Sequence, residues 1–171
     1  MINFLFTLLL YASSFSFIGA ENNYSEIEKN GQELLLCRKC GADVADSYYL
    51  FSKESPGAHK IEKQNLFGRQ NVTVQTLVNP FGIQFDIVTA EKARCESIGA
   101  SQGADSWFPG YTWRICTCPH CAQHLGWTFE SSKQTDDDKD NVKTFHGLIL
   151  GNILGENFTD SLIMLPKVYK M

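Results

Sequence analysis

The stretch CTCPHCAQHLGWTF, residues 116–129, decides how this chain is read. It contains the CxxC pair Cys118 and Cys121, and a second CxxC pair lies far upstream at Cys37 and Cys40. A CxxC turn presents two sulfurs on one side of the backbone, and two such turns complete a tetrahedral thiolate shell for zinc. With all four positions filled by protein, no place is left for an activated water. The pattern therefore predicts one structural Zn2+ on Cys37, Cys40, Cys118 and Cys121 rather than a catalytic metal. His120 and His124 are read as surface or internally bonded histidines, since four thiolates suffice.

Six cysteines also suit disulfides, but two CxxC pairs far apart in sequence are the signature of a zinc-ribbon-like site. Neither pair sits at a strand-to-helix turn of a βαβ unit, so a thioredoxin-like role is not expected. Cys95 and Cys116 are left over. One extra disulfide and two buried free thiols both remain open for them.

Working outward, all three tryptophans fall close together, at 107, 113 and 127. Trp107 and Trp113 flank Pro109-Gly110, a pair suited to the centre of a type II turn, which predicts a hairpin bringing the two indoles together diagonally. Trp127 and Phe129 alternate with Thr128 and should share one strand face. Clustered aromatics usually mean a core. Here the second knuckle ties the hairpin to the Trp127 strand, which would preorganise a four-ring cage.

Short β-type runs at residues 48–51, 72–78, 83–88, 111–117 and 126–129 predict a mainly antiparallel β domain. Apolar segments at 145–150 and 161–169 are expected to finish the sheet. The acidic run of Asp136, Asp137, Asp138 and Asp140 lacks the ligand spacing and central glycine of an EF-hand loop and reads as a solvated loop. The chain has 171 residues, 43% hydrophobic and 20% charged, which suits one domain with a real core. A net charge of -4 gives no electrostatic footprint for nucleic acid or an anionic membrane.

Residues 1–20 carry no charged side chain; they hold an apolar run at 4–11 and end in Gly19-Ala20. That reads as a signal peptide cleaved after Ala20, with no membrane association afterwards. Residues 21–33 read as a lead-in with a helical turn near 25–33, and 34–171 as the folded domain. Sequons at Asn23, Asn71 and Asn157 fit a secreted, extracellular glycoprotein.

Taken together, LCRKC (36–40), NPFG (79–82), SWFPGYTW (106–113) and CAQHLGWTF (121–129) resemble the CULT domain, the thalidomide-binding domain type of cereblon. The resemblance runs from about residue 34 to 150. It implies a β-tent of two antiparallel sheets pinned by a structural four-cysteine zinc, shared with Yippee-like and methionine sulfoxide reductase B proteins. It implies that Trp107, Trp113 and Trp127 form a cage for a glutarimide or related cyclic imide, with Phe129 closing the base. Asn79, Pro80 and Phe85 match a loop bordering the pocket, and backbone groups from Asp105 through Ser106 to Trp107 would meet the imide edge. Asp105 departs from the histidine or glutamate of other members.

The chain lacks room for cereblon's preceding domain and its ligase-adaptor segment, so no ubiquitin ligase adaptor is expected. The expectation is a secreted, non-enzymatic binding module. A thiol oxidoreductase of methionine sulfoxide reductase B type is the alternative, using Cys95 or Cys116. Against it, that family's catalytic cysteine follows the second knuckle, and no cysteine follows Cys121. An aromatic cage for quaternary ammonium ligands, helped by Asp105, is a third reading.

Overall fold

The computed structural model describes residues 32–132 and 142–162. Among them eleven strands form two antiparallel sheets. The small sheet holds β1 (Leu34–Cys37), β2 (Asp43–Asp46) and β11 (Ile153–Gly155) in the order β11-β1-β2. The large sheet runs β4-β5-β6-β10-β9-β8-β7, with the short β3 (Leu50–Phe51) also paired to β6. Its strands are β4 (Lys60–Leu66), β5 (Arg69–Val78), β6 (Gln84–Ala90), β7 (Glu96–Gln102), β8 (Tyr111–Thr117), β9 (His124–Ser131) and β10 (Thr144–Ile149). The mainly β, two-sheet fold is thus the one expected.

Strand alternation sends opposite side chains into two different apolar clusters. On one face of the large sheet, Val72, Val74, Val88 and Leu148 pack with Leu35, Val44 and Ile153 of the small sheet. On the other face, Leu77, Ile87, Trp127, Phe129, Phe145 and Ile149 pack with Phe108 and Tyr111. That second cluster is ring-rich: Phe129 stacks on Phe145 at 5.0 Å, and Phe108 meets both edge-on. A Cβ at Gly147 would press on Ile87 and Phe129 at 3.1 Å, so the bare backbone there lets the rings close in.

Several expectations need correction. Residues 48–51 are a 3-10 turn, Ser47–Tyr49, capped by Asp46, before the two residues of β3. Ser161 lies in helix α1 (Glu156–Leu162), not in a closing strand, and residues 163–169 lie outside the described residues. β4 and β7 escaped the sequence reading because they sit at the sheet edges and are largely exposed, so neither carries a buried apolar face. Pro109-Gly110 does make the turn: Gly110 has φ +83, and the Tyr111 amide donates to Phe108 O at 3.1 Å. It does not make the hairpin, because β8 pairs with β7 and β9 while Trp107 stays in the loop before it. Residues 1–20, read above as a signal peptide, together with Asn23, most of the lead-in and the acidic run, lie outside the described residues.

Candidate functional site: a thiolate knuckle pair and a tryptophan-walled pocket

The two knuckles are built by one backbone recipe used twice. The Cys37 amide donates to Ala42 O and the Gly41 amide to Cys37 O, both at 2.8 Å. The Cys118 amide donates to Gln123 O at 2.8 Å and the Ala122 amide to Cys118 O at 2.9 Å. The fifth residue of each turn is left-handed, Gly41 at φ +75 and Ala122 at φ +56. Glycine takes that conformation freely, whereas alanine does so at a cost.

All four Sγ atoms lie within 4.8 Å of one another. Cys37 Sγ is 3.7 Å from Cys121 Sγ, and Cys40 Sγ is 3.7 Å from Cys118 Sγ. A tetrahedron of ~2.3 Å zinc–sulfur bonds has an edge of about 3.8 Å, so the cluster is positioned to hold one zinc. Proton competition within the set points the same way. Burial raises the Cys118 thiol, but the His120 and Cys121 amides and the Cys40 and Cys121 sulfurs outweigh it and bring it down to about 7. The Ala42 amide lowers Cys40, yet desolvation and the other three sulfurs push it up to about 12. Four thiolates at neutral pH therefore require a cation, and its binding must release protons.

The second feature is a cavity of about 380 Å³ on the opposite face of β8 and β9. Trp107, Trp113 and Trp127 all line it, as do Phe129, Phe85, Asn79, Pro80 and Asp105. Trp127 is the hub: its ring meets Trp107 at 4.6 Å, His124 at 4.8 Å and Phe85 at 5.0 Å, each edge-on. Trp107 Nε1 donates to Val78 O and Trp113 Nε1 to Ala104 O, both at 2.8 Å. Those bonds fix the rings and leave their faces for the cavity.

The loop carrying Trp107 is braced from beneath. Gln75, fully buried, accepts from the Ser55 amide and donates to Lys53 O, both at 2.8 Å, and Ser55 Oγ donates to Trp107 O at 2.5 Å. Across the mouth, Asn79 Oδ1 accepts from the Phe81 and Ile83 amides at 3.0 and 2.9 Å. Its side chain therefore shapes the loop rather than pointing a free amide carbonyl at the cavity. Ser106 does not line the cavity; its hydroxyl donates to Phe108 O at 3.1 Å within its own loop.

Phe81, Ile115 and His124 also line the cavity and were not assigned to it from the sequence. Phe81 is 88% exposed and stands at the rim. His124, read as a surface or internally bonded histidine, is internally bonded and also stands in the pocket. Alternation back from Trp127 would put it on the far face, but β9 carries a bulge where Cys116 pairs with Gly126 and Thr117 with His124. The extra residue reverses the faces: Leu125 enters the inter-sheet core and His124 enters the pocket. Its Nε2 bonds Gly126 O at 2.9 Å. Burial holds its pKa below the usual 6.5, the Gly126 carbonyl opposing only in part.

Of the two cysteines left over, Cys95 and Cys116 are joined in a disulfide with Cα atoms 5.4 Å apart. Cys116 follows pocket-lining Ile115 on β8, so it lies on the other face of the sheet.

Comparison with known proteins places this geometry in a family. Residues 34–154 match the model described as "Yippee zinc-binding/DNA-binding /Mis18, centromere assembly". The chain is 33% identical over 104 residues to "Protein cereblon" of Drosophila erecta, covering 58% of this chain and 15% of that protein. It is 41% identical over 58 residues to "Protein cereblon" of Danio rerio, covering 33% of this chain and 14% of the relative. The alignments thus span about a seventh of those relatives' length. With two antiparallel sheets, two thiolate knuckles and a family match over most of its length, the chain belongs to the Yippee/Mis18 family as a cereblon-like CULT domain protein.

Proposed function

We propose that this chain is a secreted, non-enzymatic binding module whose tryptophan-walled pocket takes a cyclic imide of the glutarimide type or a related ring, while its zinc is structural. One observation carries the reading: three tryptophans from separate positions along the chain wall a single cavity of about 380 Å³, a size suited to one small ring ligand. Their indole N–H groups at Trp107 and Trp113 are spent on Val78 and Ala104 carbonyls, so these walls offer ring faces and few donors. An imide ring complements such walls, since its methylenes gain about 25 cal/mol per Å² of apolar area buried. Its polar edge, one N–H between two carbonyls, would be met at the Asp105–Trp107 backbone.

Secretion is supported by the apolar run at residues 4–11 with Gly19-Ala20 after it, by the Cys95–Cys116 bridge and by exposed sequon asparagines at 71 and 157. The net charge of -4 favours no nucleic-acid partner despite the wording of the family description. The reading includes neither a ligase adaptor nor a membrane partner.

Tryptophan fluorescence of the zinc-loaded protein, titrated with thalidomide beside its N-methylated form, tests the proposal. Saturable quenching by the free imide alone is expected, because methylation leaves a buried acceptor unpaired at about 1–3 kcal/mol. Equal response to both compounds, or to neither, would overturn it. Choline serves as competitor: displacement of the imide by choline would transfer the site to cations held over the rings near Asp105.

A further inference from the structure

The sheet face turned away from the tryptophans carries a second set of soft-metal ligands. Cys95 stands just before edge strand β7, Cys116 lies on β8, and His146 on β10 brings Nδ1 to 3.4 Å from Cys95 Sγ. The three ligand atoms all fall within 4.8 Å of one another. Zinc bonded to sulfur at ~2.3 Å and to nitrogen at ~2.0–2.1 Å holds the two about 3.5 Å apart, so one edge of the polyhedron already stands.

A hydroxyl chain orients the imidazole. Ser97 Oγ donates to Thr128 Oγ1 at 2.9 Å, and Thr128 Oγ1 lies 3.2 Å from His146 Nδ1. Having accepted from Ser97, Thr128 has its own proton to give to Nδ1. The imidazole proton then sits on Nε2, and the Nδ1 lone pair is held by the Thr128 hydroxyl until a cation beside the sulfurs takes that hydrogen bond's place.

We propose that Cys95, Cys116 and His146 form a redox-gated metal site: a disulfide when oxidised, and a two-thiolate, one-imidazole site for one divalent ion of zinc type once reduced. The gating step balances. Two thiols supply two electrons and two protons and leave as their own disulfide, or one phosphine supplies the electrons while one water gives its oxygen to the phosphine oxide and its two protons to the sulfurs. The S–S bond breaks and two S–H bonds form. The cation then displaces both thiol protons, while His146 adds a lone pair and keeps its Nε2 proton. Cys116 is fully buried and Cys95 only partly, so the reductant meets Cys95 first. To admit the ion the sulfurs must part to about 3.8 Å. Cys95 can give way because β7 is an exposed edge strand with a neighbour on one side only. Three protein ligands leave a fourth position for water or the Thr128 hydroxyl.

Metal equivalents per chain, counted by native mass spectrometry on zinc-loaded protein, test the site. One zinc is expected before reduction, and two after treatment with tris(carboxyethyl)phosphine, added Zn2+ and removal of excess metal. His146→Ala should keep the first zinc and the disulfide but fail to take the second ion after reduction. A reduced wild-type chain that stays at one equivalent overturns the proposal, as does a His146→Ala chain that still takes two. A fall to zero on reduction overturns it as well, since the fold would then depend on the bridge. Imide titration of the same samples keeps this outcome separate from that of the pocket.

Discussion

The second knuckle joins strands β8 and β9, which also carry two walls of the pocket, yet the knuckle pair and the pocket are assembled by opposite means. Each knuckle is a run of six residues closed by its own backbone hydrogen bonds, written once at 37–42 and again at 118–123. Only the meeting of the two knuckles is long-range. The pocket has no such local recipe: Trp107 comes from a loop, Trp113 and Trp127 from adjacent strands, and Asn79 and Phe85 from the β5–β6 turn and strand β6. The metal end should therefore fail all at once, and the pocket end by degrees.

The sharpest way to break the contrast is at the metal. Cys118→Ser, or exhaustive chelation, removes a binding free energy of about 10–16 kcal/mol, comparable with or larger than the ~5–15 kcal/mol that holds a domain folded. Circular dichroism should show loss of the β signal, and imide binding should vanish with it. A chelated protein that still binds the imide would make the two ends independent.

Gly126 joins the regions, and its replacement ranks next. At φ +147 an alanine Cβ would stand 1.9 Å from Gly147 O across the β9–β10 pair, a backbone neighbour that cannot swing aside. Gly126→Ala should cost at least about 3 kcal/mol in urea unfolding. Trp107→Ala, by contrast, should weaken imide affinity about 30-fold or more. Zinc content should stay at one equivalent, measured by calorimetry beside metal analysis. Loss of zinc in that variant would erase the distinction drawn above.

Ala122→Gly probes the knuckle gently. It relieves a left-handed alanine, worth about 1–2 kcal/mol, and returns part of the gain as chain entropy. A rise of about 0.5 kcal/mol is expected in thermal unfolding of zinc-loaded protein. The smallest effect belongs to pH. Burial depresses the His124 pKa in the folded state, so the unfolded chain takes the proton first as pH falls below 6.5. The stability His124 contributes is present above that pH and is lost as pH drops through its folded value. Thermal melts from about pH 7.5 to 5.5 should decline more in wild type than in His124→Gln, with zinc content followed alongside.

How much could be read in advance follows the same division. The four ligands were legible because CxxC spacing is itself the chelating geometry. The rings at 107, 113, 127 and 129 were legible through a segment whose resemblance is specific. Ser106 was placed at the pocket edge through its backbone by that resemblance, and its hydroxyl bonds Phe108 O within the loop. His124 was hidden by a bulge, which no alternation rule anticipates. The edge strands β4 and β7 were hidden because exposed strands carry no hydrophobic period.

The sequence by itself determined the mainly β character, the four-thiolate ligand set and the ring inventory, because these rest on residue type and short-range spacing. Only the tertiary structure decided that Cys95 and Cys116 meet, that His146 stands beside them, and that one bulge hands His124 to the pocket and Leu125 to the core. The physical reason is register: side-chain facing in a sheet depends on which residues pair across strands distant in sequence, and one inserted residue reverses it.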